Sequence, residues 1–186
     1  NVFRHLVIKH YGENEYTRKQ FTDRLFEYNL HDAYTFDLEE KGYGKSSLRD
    51  KWSIHDLYST AIGYSIRETP LNILAFYNAI ANGGKMMKPY LIDSYEADGV
   101  KIKQFSPTIL NGAICSKATV DTLTAALKAV TSEGTARRLN KAKCEVAGKT
   151  GTARAILEAA EKPKKGNPYV TEDEMKKYQA TFVGFF

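Results

Sequence analysis

The sequence contains only two cysteines, Cys115 and Cys144, and this scarcity excludes several kinds of protein. Two cysteines cannot build a disulfide scaffold, and their separation does not match the spacing of zinc ligands. We expect two partly buried thiols, although a single disulfide stays open. His5 and His10 are five residues apart and do not share a helical face, so neither a metal nor another cofactor is predicted.

Long apolar runs and a strong charge of one sign are also missing. No stretch of eighteen apolar residues occurs, so no membrane-spanning segment and no signal peptide are predicted within these residues. Lys and Arg number 27 against 22 Asp and Glu, a mild net charge of +5 that is spread along the chain. This pattern favours a solvated surface over nucleic-acid binding. With 42% of its 186 residues hydrophobic, the chain can bury one sizeable core.

Periodicity and turn residues indicate both helices and strands. The clearest helix covers 69–84, because Thr69 is a good N-cap and Pro70 falls at the first helical position. Asp98-Gly99 predicts a hairpin turn between two strand-like runs. Further helices are predicted over 2–11, 17–28 (with Thr17 as the cap) and 116–130, strands over 145–154 and 178–186, and a solvated loop over 156–177.

The stretch VAGKTGTAR, residues 146–154, places a lysine and two threonines among small residues. A phosphate loop would need a glycine five residues before Gly148, but Lys143 occupies that position. Lys-Thr-Gly arises by chance in a chain of this length on the order of a few per cent of the time. By itself, therefore, the tripeptide leaves an ordinary strand open as an interpretation.

An acyl-transfer site offers a third interpretation. On a strand beside a cleft, Lys149 would extend an ammonium, and Gly151 would let a substrate backbone approach closely. Thr150 points the other way by strand alternation, unless the chain twists at Gly151. The N–H of Thr152 could donate to a developing oxyanion, and its hydroxyl could hold a carboxylate. Such a site suits a peptide that ends in a carboxylate and binds as an added strand.

Several segments besides VAGKTGTA resemble the transpeptidase domain of a class B penicillin-binding protein, of the division type. The helix segment 61–84 contains Thr-Pro-Leu and ends in Asn-Gly-Gly, as in that family. SEGTARRLN, residues 132–140, is similar to the Gly-Thr segment upstream of the family's Lys-Thr-Gly strand, and YQATFVGFF to its next strand. The matches occur in order and cover nearly the whole chain.

The resemblance implies an α+β fold of the β-lactamase and transpeptidase type, an antiparallel sheet with helices on both faces. The chain begins at Asn1 without Met and stops at Phe186 inside an apolar run. We therefore expect residues 1–186 to be an incomplete fragment, the C-terminal portion of one such domain without its last strand. An unpaired sheet edge would then pair with another chain or leave the sheet incomplete.

The family's nucleophilic motif is not found in these residues. No serine is followed by lysine three residues later, and no serine begins Ser-x-Asn. The family follows its Ser-x-Asn directly with a helix, so the resemblance identifies Asn1 as the last residue of that motif. The nucleophilic serine would then lie upstream, and this chain alone is expected to be inactive towards substrate and towards penicillin.

The resemblance also implies roles for the remaining residues. Asn1 would contact the substrate amide, and Lys149 would join the proton and carboxylate network. Thr150 and Thr152 would bind the carboxylate beside Gly151, and the Thr152 N–H would supply half of the oxyanion hole. The implied catalytic residues are thus Asn1, Lys149 and Thr152, and the implied substrate-binding residues are Lys149, Thr150, Gly151 and Thr152.

The implied ligands are peptidoglycan stem peptides and β-lactam antibiotics, and the implied partners are membrane proteins of the division machinery. The implied location is the extracytoplasmic face of the bacterial inner membrane, with an N-terminal anchoring helix outside this chain. A non-catalytic penicillin-binding-like sensor or scaffold and a D,D-carboxypeptidase stay open as alternatives. Ser-x-x-Lys upstream would favour an enzyme, and use of an amine acceptor would favour a transpeptidase.

Overall fold

The computed structural model describes residues 2–30, 34, 53–64, 66, 68–154 and 178–186. The expectations for Asn1 and for the loop 156–177 lie outside these residues. The chain forms two compact units, Asn1–Asp121 and Thr122–Phe186.

The first unit begins with two helices, α1 (Val2–Tyr11) and α2 (Glu15–Glu27). Gly12 follows the end of α1, and its N–H donates to the carbonyl of Ile8 at 2.8 Å. The cap of α2 was predicted wrongly. Asn14, not Thr17, is the N-cap, and the two residues form a reciprocal capping box in which each side chain accepts from the other's backbone N–H.

Two more helices follow in this unit, α3 (Ile54–Thr60) and α4 (Pro70–Ala81). Ser53 and Asp56 form the capping box of α3. Thr69 caps α4 and Pro70 occupies its first position, as the sequence predicts. The side-chain amide of Asn72, which is buried, donates to the carbonyl of Asn29 at 3.1 Å and so connects the start of α4 to the end of α2.

The described residues of the first unit include a buried apolar core. Its most buried apolar side chains are Leu57, Ala79 and Met86, each 0% exposed. On α1, Phe3 is 69% exposed. The segment of α4 has few polar residues, a pattern that predicts a deeply buried helix, but Leu74 is 54% exposed.

Two short antiparallel pairs complete the first unit. The strands β1 (Met86–Met87) and β4 (Ile109–Asn111) pair with each other, and β2 (Ser94–Ala97) pairs with β3 (Val100–Gln104). Asp98 and Gly99 have φ values of 49° and 75°, which is the geometry of the predicted two-residue hairpin turn.

Helix α5 (Lys117–Ser132) begins in the first unit and continues into the second. A 3₁₀ helix (Arg137–Lys141) and the strands β5 (Ala147–Arg154) and β6 (Tyr178–Phe185) follow. The described strands thus form three two-stranded antiparallel sheets accompanied by five α-helices, which confirms the α+β class. Within the described ranges, no helix is long and apolar enough to cross a bilayer.

Candidate active site

The strand β5 carries all four of the described candidate residues, and its pairing with β6 is regular. Each of its eight residues opposes one residue of β6, from Ala147 opposite Phe185 to Arg154 opposite Tyr178, without a shift of register. Because no bulge interrupts the ladder, side chains alternate strictly between the two faces of the strand. The ladder continues through Gly151 without a bulge.

The two glycines of β5 show which side chains share a face. A Cβ placed on Gly148 would lie 2.5 Å from the ring Cζ of Phe182, and one placed on Gly151 would collide with Oγ1 of Thr181. Phe182 opposes Thr150, and Thr181 opposes Gly151. By alternation, Thr150 and Thr152 share the face of Phe182, whereas Lys149 lies on the face of Thr181.

The backbone N–H and C=O groups of β5 point in alternation towards β6 and towards the opposite edge of the strand. A Cβ on Gly184 would lie 2.8 Å from the carbonyl oxygen of Ala147, and one on Gly148 would lie 2.7 Å from that of Val183. These carbonyls therefore point across the ladder, and the odd-numbered residues of β5 form its hydrogen-bonded pairs. The even-numbered residues direct their backbone groups away from β6. The N–H of Thr152 accordingly lies on the outer edge of β5, where no further strand of the described residues pairs.

Lys149 is exposed and reaches the same outer edge. Its Nζ donates to the carbonyl oxygen of Thr150 at 2.7 Å. The ammonium, the Thr150 carbonyl and the Thr152 N–H therefore lie along one open border of the sheet. The arrangement offers a cation and a free-edge amide to a ligand that approaches β5 from the side opposite β6.

Gly151 has a structural explanation that the sequence did not provide. Its missing side chain leaves room for the side chain of Thr181 on the neighbouring strand. The expectation that Gly151 admits a substrate backbone stays a prediction.

Sequence reasoning missed one residue at this site, Thr135. Its Oγ1 lies 2.7 Å from Oγ1 of Thr150, and both residues belong to the second unit. The signal was present in the segment SEGTARRLN, which resembles the family's Gly-Thr segment, but no contact follows from the resemblance alone.

The end of α5 is joined to the start of β5 by two further contacts. The hydroxyl of Thr131, which is buried, donates to the carbonyl of Val146, and it also lies 2.9 Å from the carbonyl of Lys128. Nζ of Lys128 forms an ion pair with Glu145 at 2.5 Å. Because that pair is open to solvent, with Lys128 half-buried and Glu145 exposed, the buried Thr131 contact is expected to contribute more to the attachment.

A cavity of about 350 Å³ lies beside the beginning of β5. Lys128, Thr131, Cys144 and Val146 are among its lining residues, but none of the four candidate residues is. The four candidate residues thus lie on β5 and do not line this cavity. Among the residues that the structure describes, no group of three or more His, Cys, Asp or Glu side chains could hold a metal ion.

The two cysteines are free thiols. Cys115 is half-buried, as expected, whereas Cys144 is exposed and so departs from the expectation of two partly buried thiols. The disulfide left open by the sequence is not formed.

Comparison with known proteins identifies related sequences. The family model described as the penicillin-binding protein transpeptidase domain matches residues 14–186. Penicillin-binding protein H of Bacillus subtilis is 32% identical over 132 residues, which are 68% of this chain and 17% of that protein. Stage V sporulation protein D of the same organism is 30% identical over 122 residues, which are 64% of this chain and 19% of that protein. The chain thus spans less than a fifth of the length of these relatives.

Solved structures share the fold. Penicillin-binding protein A of Mycobacterium tuberculosis, as its ceftriaxone acyl-enzyme, aligns with a TM-score of 0.71 at 20% identity over 98% of this chain and 36% of its own. Penicillin-binding protein 3 of the same organism, in complex with ampicillin, aligns with a TM-score of 0.69 at 24% identity over 89% of this chain and 36% of its own.

Proposed function

The chain belongs to the penicillin-binding protein transpeptidase family, and from that membership we propose that the full-length protein is a class B peptidoglycan D,D-transpeptidase. It would cross-link stem peptides through a serine acyl-enzyme and would be acylated by β-lactams. The reaction consumes a D-Ala–D-Ala peptide bond. A serine hydroxyl attacks its carbonyl, the terminal D-Ala leaves as an amine, and an acceptor amine then displaces the serine.

Among the described residues, the regular alternation of side chains along β5 is the observation that supports this proposal. It puts the hydroxyls of Thr150 and Thr152 on one face, two residues apart, which is about 6.6–6.8 Å along a strand. A carboxylate that accepts one hydrogen bond of about 2.7 Å on each oxygen can bridge hydroxyls at this spacing. We assign the terminal carboxylate of the substrate, or the corresponding carboxylate of a β-lactam, to this pair.

The outer edge of β5 supports the second assignment. Since the N–H of Thr152 faces away from β6, it is available to donate to the oxyanion of the tetrahedral intermediate. We assign the ammonium of Lys149 to the proton and carboxylate network of the same border. Asn1 is proposed to orient the substrate amide and the nucleophile.

The proposal assigns the nucleophile to a part of the protein other than residues 1–186, because no Ser-x-x-Lys occurs among them. Attachment to the extracytoplasmic side of the membrane through an N-terminal helix, and contact with division proteins, belong to the proposal as well.

The test is acylation of the full-length protein by a fluorescent penicillin, with the adduct mass measured after tryptic digestion. We expect one covalent adduct on a serine and release of D-Ala from a pentapeptide substrate. Incorporation of an added amine into the product would identify a transpeptidase. Hydrolysis without amine incorporation would identify a D,D-carboxypeptidase instead. The absence of any adduct would favour a sensor or scaffold.

A further inference from the structure

Thr135 makes a contact that the proposed function does not yet use. Its hydroxyl lies 2.7 Å from that of Thr150, the residue assigned to carboxylate binding. We propose that Thr135 is a positioning residue that orients the Thr150 hydroxyl so that its proton points at the carboxylate of the substrate. This inference rests on the proposed function and adds a residue to its binding site.

The chemistry of two adjacent hydroxyls gives the contact a direction. Each hydroxyl has one proton to donate and two lone pairs to accept with. A Thr150 that donates to Thr135 has no proton left for an anion. When a carboxylate binds, Thr135 must therefore donate to Thr150, and Thr150 then donates to the carboxylate. Such a chain is cooperative, because each donation polarises the next hydroxyl.

The contact also selects the rotamer of Thr150. A threonine side chain is stiff at χ1, and rotation by one rotamer would exchange its hydroxyl for its methyl group. A partner at 2.7 Å favours the rotamer that keeps Oγ1 in place. Loss of the Thr135 hydroxyl would leave Thr150 free to present the methyl group to the ligand.

The backbone around Thr135 is fixed by the end of α5. The N–H of Gly134 donates to the carbonyl of Ala129, and that of Ala136 donates to the carbonyl of Val130, both at 3.0 Å. The two neighbours of Thr135 are thus both tied to the last turn of the helix. Thr135 is exposed, so burial does not explain its position.

The contact belongs to a two-point attachment with a constant spacing. Thr131 bonds to the residue fifteen positions later, Val146, and Thr135 bonds to the residue fifteen positions later, Thr150. The first point is buried and anchors α5 to the chain entering β5, whereas the second lies on the ligand-binding strand itself. The buried contact of Thr131 with Val146 therefore holds the chain in the position from which Thr135 contacts Thr150.

The experiment compares acylation of the full-length protein by benzylpenicillin and by its methyl ester, which lacks the carboxylate. In Thr135→Val, which keeps the shape and removes the hydroxyl, the second-order rate constant for benzylpenicillin should fall roughly tenfold, because a misoriented Thr150 loses its hydrogen bond to the charged carboxylate. The rate constant for the ester should change by less than about twofold, because the ester has no charge for Thr150 to hold.

Two controls separate positioning from a structural role. Thr135→Ser keeps the hydroxyl and should retain acylation within about threefold of the wild type, since serine samples more rotamers. Ser132→Ala removes a nearby hydroxyl that bonds only weakly to the carbonyl of Ala129, at 3.4 Å, and should acylate as the wild type does.

The outcomes are distinguishable. If wild-type protein is not acylated by benzylpenicillin, the proposed function fails. If it is acylated and Thr135→Val slows the acid and the ester equally, or slows neither, the role of Thr135 fails and the proposed function stands.

Discussion

The ring of Phe182 occupies the space in which a side chain on residue 148 would stand. Its Cζ lies 2.5 Å, and its Cε2 2.9 Å, from a Cβ placed on Gly148. The carbonyl of Val183 is also only 2.7 Å from that position. Packing of β5 against β6 therefore depends on a residue without a side chain immediately before Lys149.

Replacing Gly148 tests this dependence. In Gly148→Ala, the added methyl group meets both an aromatic ring and a backbone oxygen, so β5 must move away from β6. We expect a loss of about 1–3 kcal/mol in the free energy of unfolding, as for other overpacked sites, together with slower acylation by penicillin. Gly112→Ala is the matched control, because nothing lies within 4 Å of its Cβ position. Equal melting temperatures of the two variants would contradict the packing argument.

Thr152 allows a direct test of carboxylate binding. Thr152→Val keeps the strand-favouring shape and the backbone N–H but removes the hydroxyl. We expect the acylation rate constant for benzylpenicillin to fall roughly tenfold to a hundredfold, as for a hydrogen bond to a charged group. Thr152→Ser should recover most of the rate. An unchanged rate in the valine variant would remove Thr152 from the binding site.

Gly134 should matter through Thr135. A Cβ on Gly134 would lie 2.8 Å from Cα of Val130 and 2.9 Å from its carbonyl oxygen, so the turn after α5 cannot keep its geometry in Gly134→Ala. We expect slower acylation by benzylpenicillin than by its methyl ester, relative to the wild type, because Thr135 is displaced from Thr150. The double variant of Gly134→Ala and Thr135→Val should be no slower than the slower of the two single variants, because both changes act through the same contact. Fully additive losses would show that Gly134 acts elsewhere.

Tyr77 should make stability sensitive to alkaline pH. Burial disfavours the phenolate and raises the pKa of Tyr77 in the folded protein above its ordinary value near 10. The unfolded chain therefore loses this proton first, so the folded state is stabilised below about pH 10 and that stabilisation is lost as the pH rises further. We expect Tyr77→Phe to lose less stability than the wild type between about pH 9 and pH 11. Unfolding by urea, followed by circular dichroism across this range, would measure the difference.

The matched control for that experiment is Tyr16→Phe. Tyr16 is 72% exposed, so this variant removes a phenol from the solvated surface instead of from the packed region. Its alkaline loss of stability should equal that of the wild type. If both variants behave alike, burial of Tyr77 does not control the effect.

Local signals in the sequence predicted local structure well. Thr69 and Pro70 mark the start of α4, and Asp98-Gly99 forms the turn between β2 and β3, because capping and turn formation depend on a few neighbouring residues. The cap of α2 was predicted wrongly for a related reason. Asn14 and Thr17 both accept from backbone amides in one capping box, so their residue types do not distinguish the first position from the fourth.

Contacts between distant residues were not predictable in the same way. The helical period of α1 predicts which residues share a face but not what covers it, and Phe3 is mostly exposed. The candidate strand and the alternation of its side chains were predicted, because both depend on the residues of a single segment. The contact of Thr135 with Thr150 needs the path of the chain from the end of α5 back to β5, and no pattern in the sequence specifies that path.

The contacts of Thr131 with Val146 and of Thr135 with Thr150 have a consequence for tolerance to changes of length. Both cross the same intervening stretch, and both keep a separation of fifteen residues. An inserted residue among 136–145 can be absorbed where the chain is irregular and exposed, around Lys143. An insertion between Thr131 and Thr135, or between Val146 and Thr150, changes the spacing of the two contacts on one segment only. Both contacts then cannot form together with their present geometry. Insertion scanning should find the protein permissive in the first stretch and intolerant in the other two.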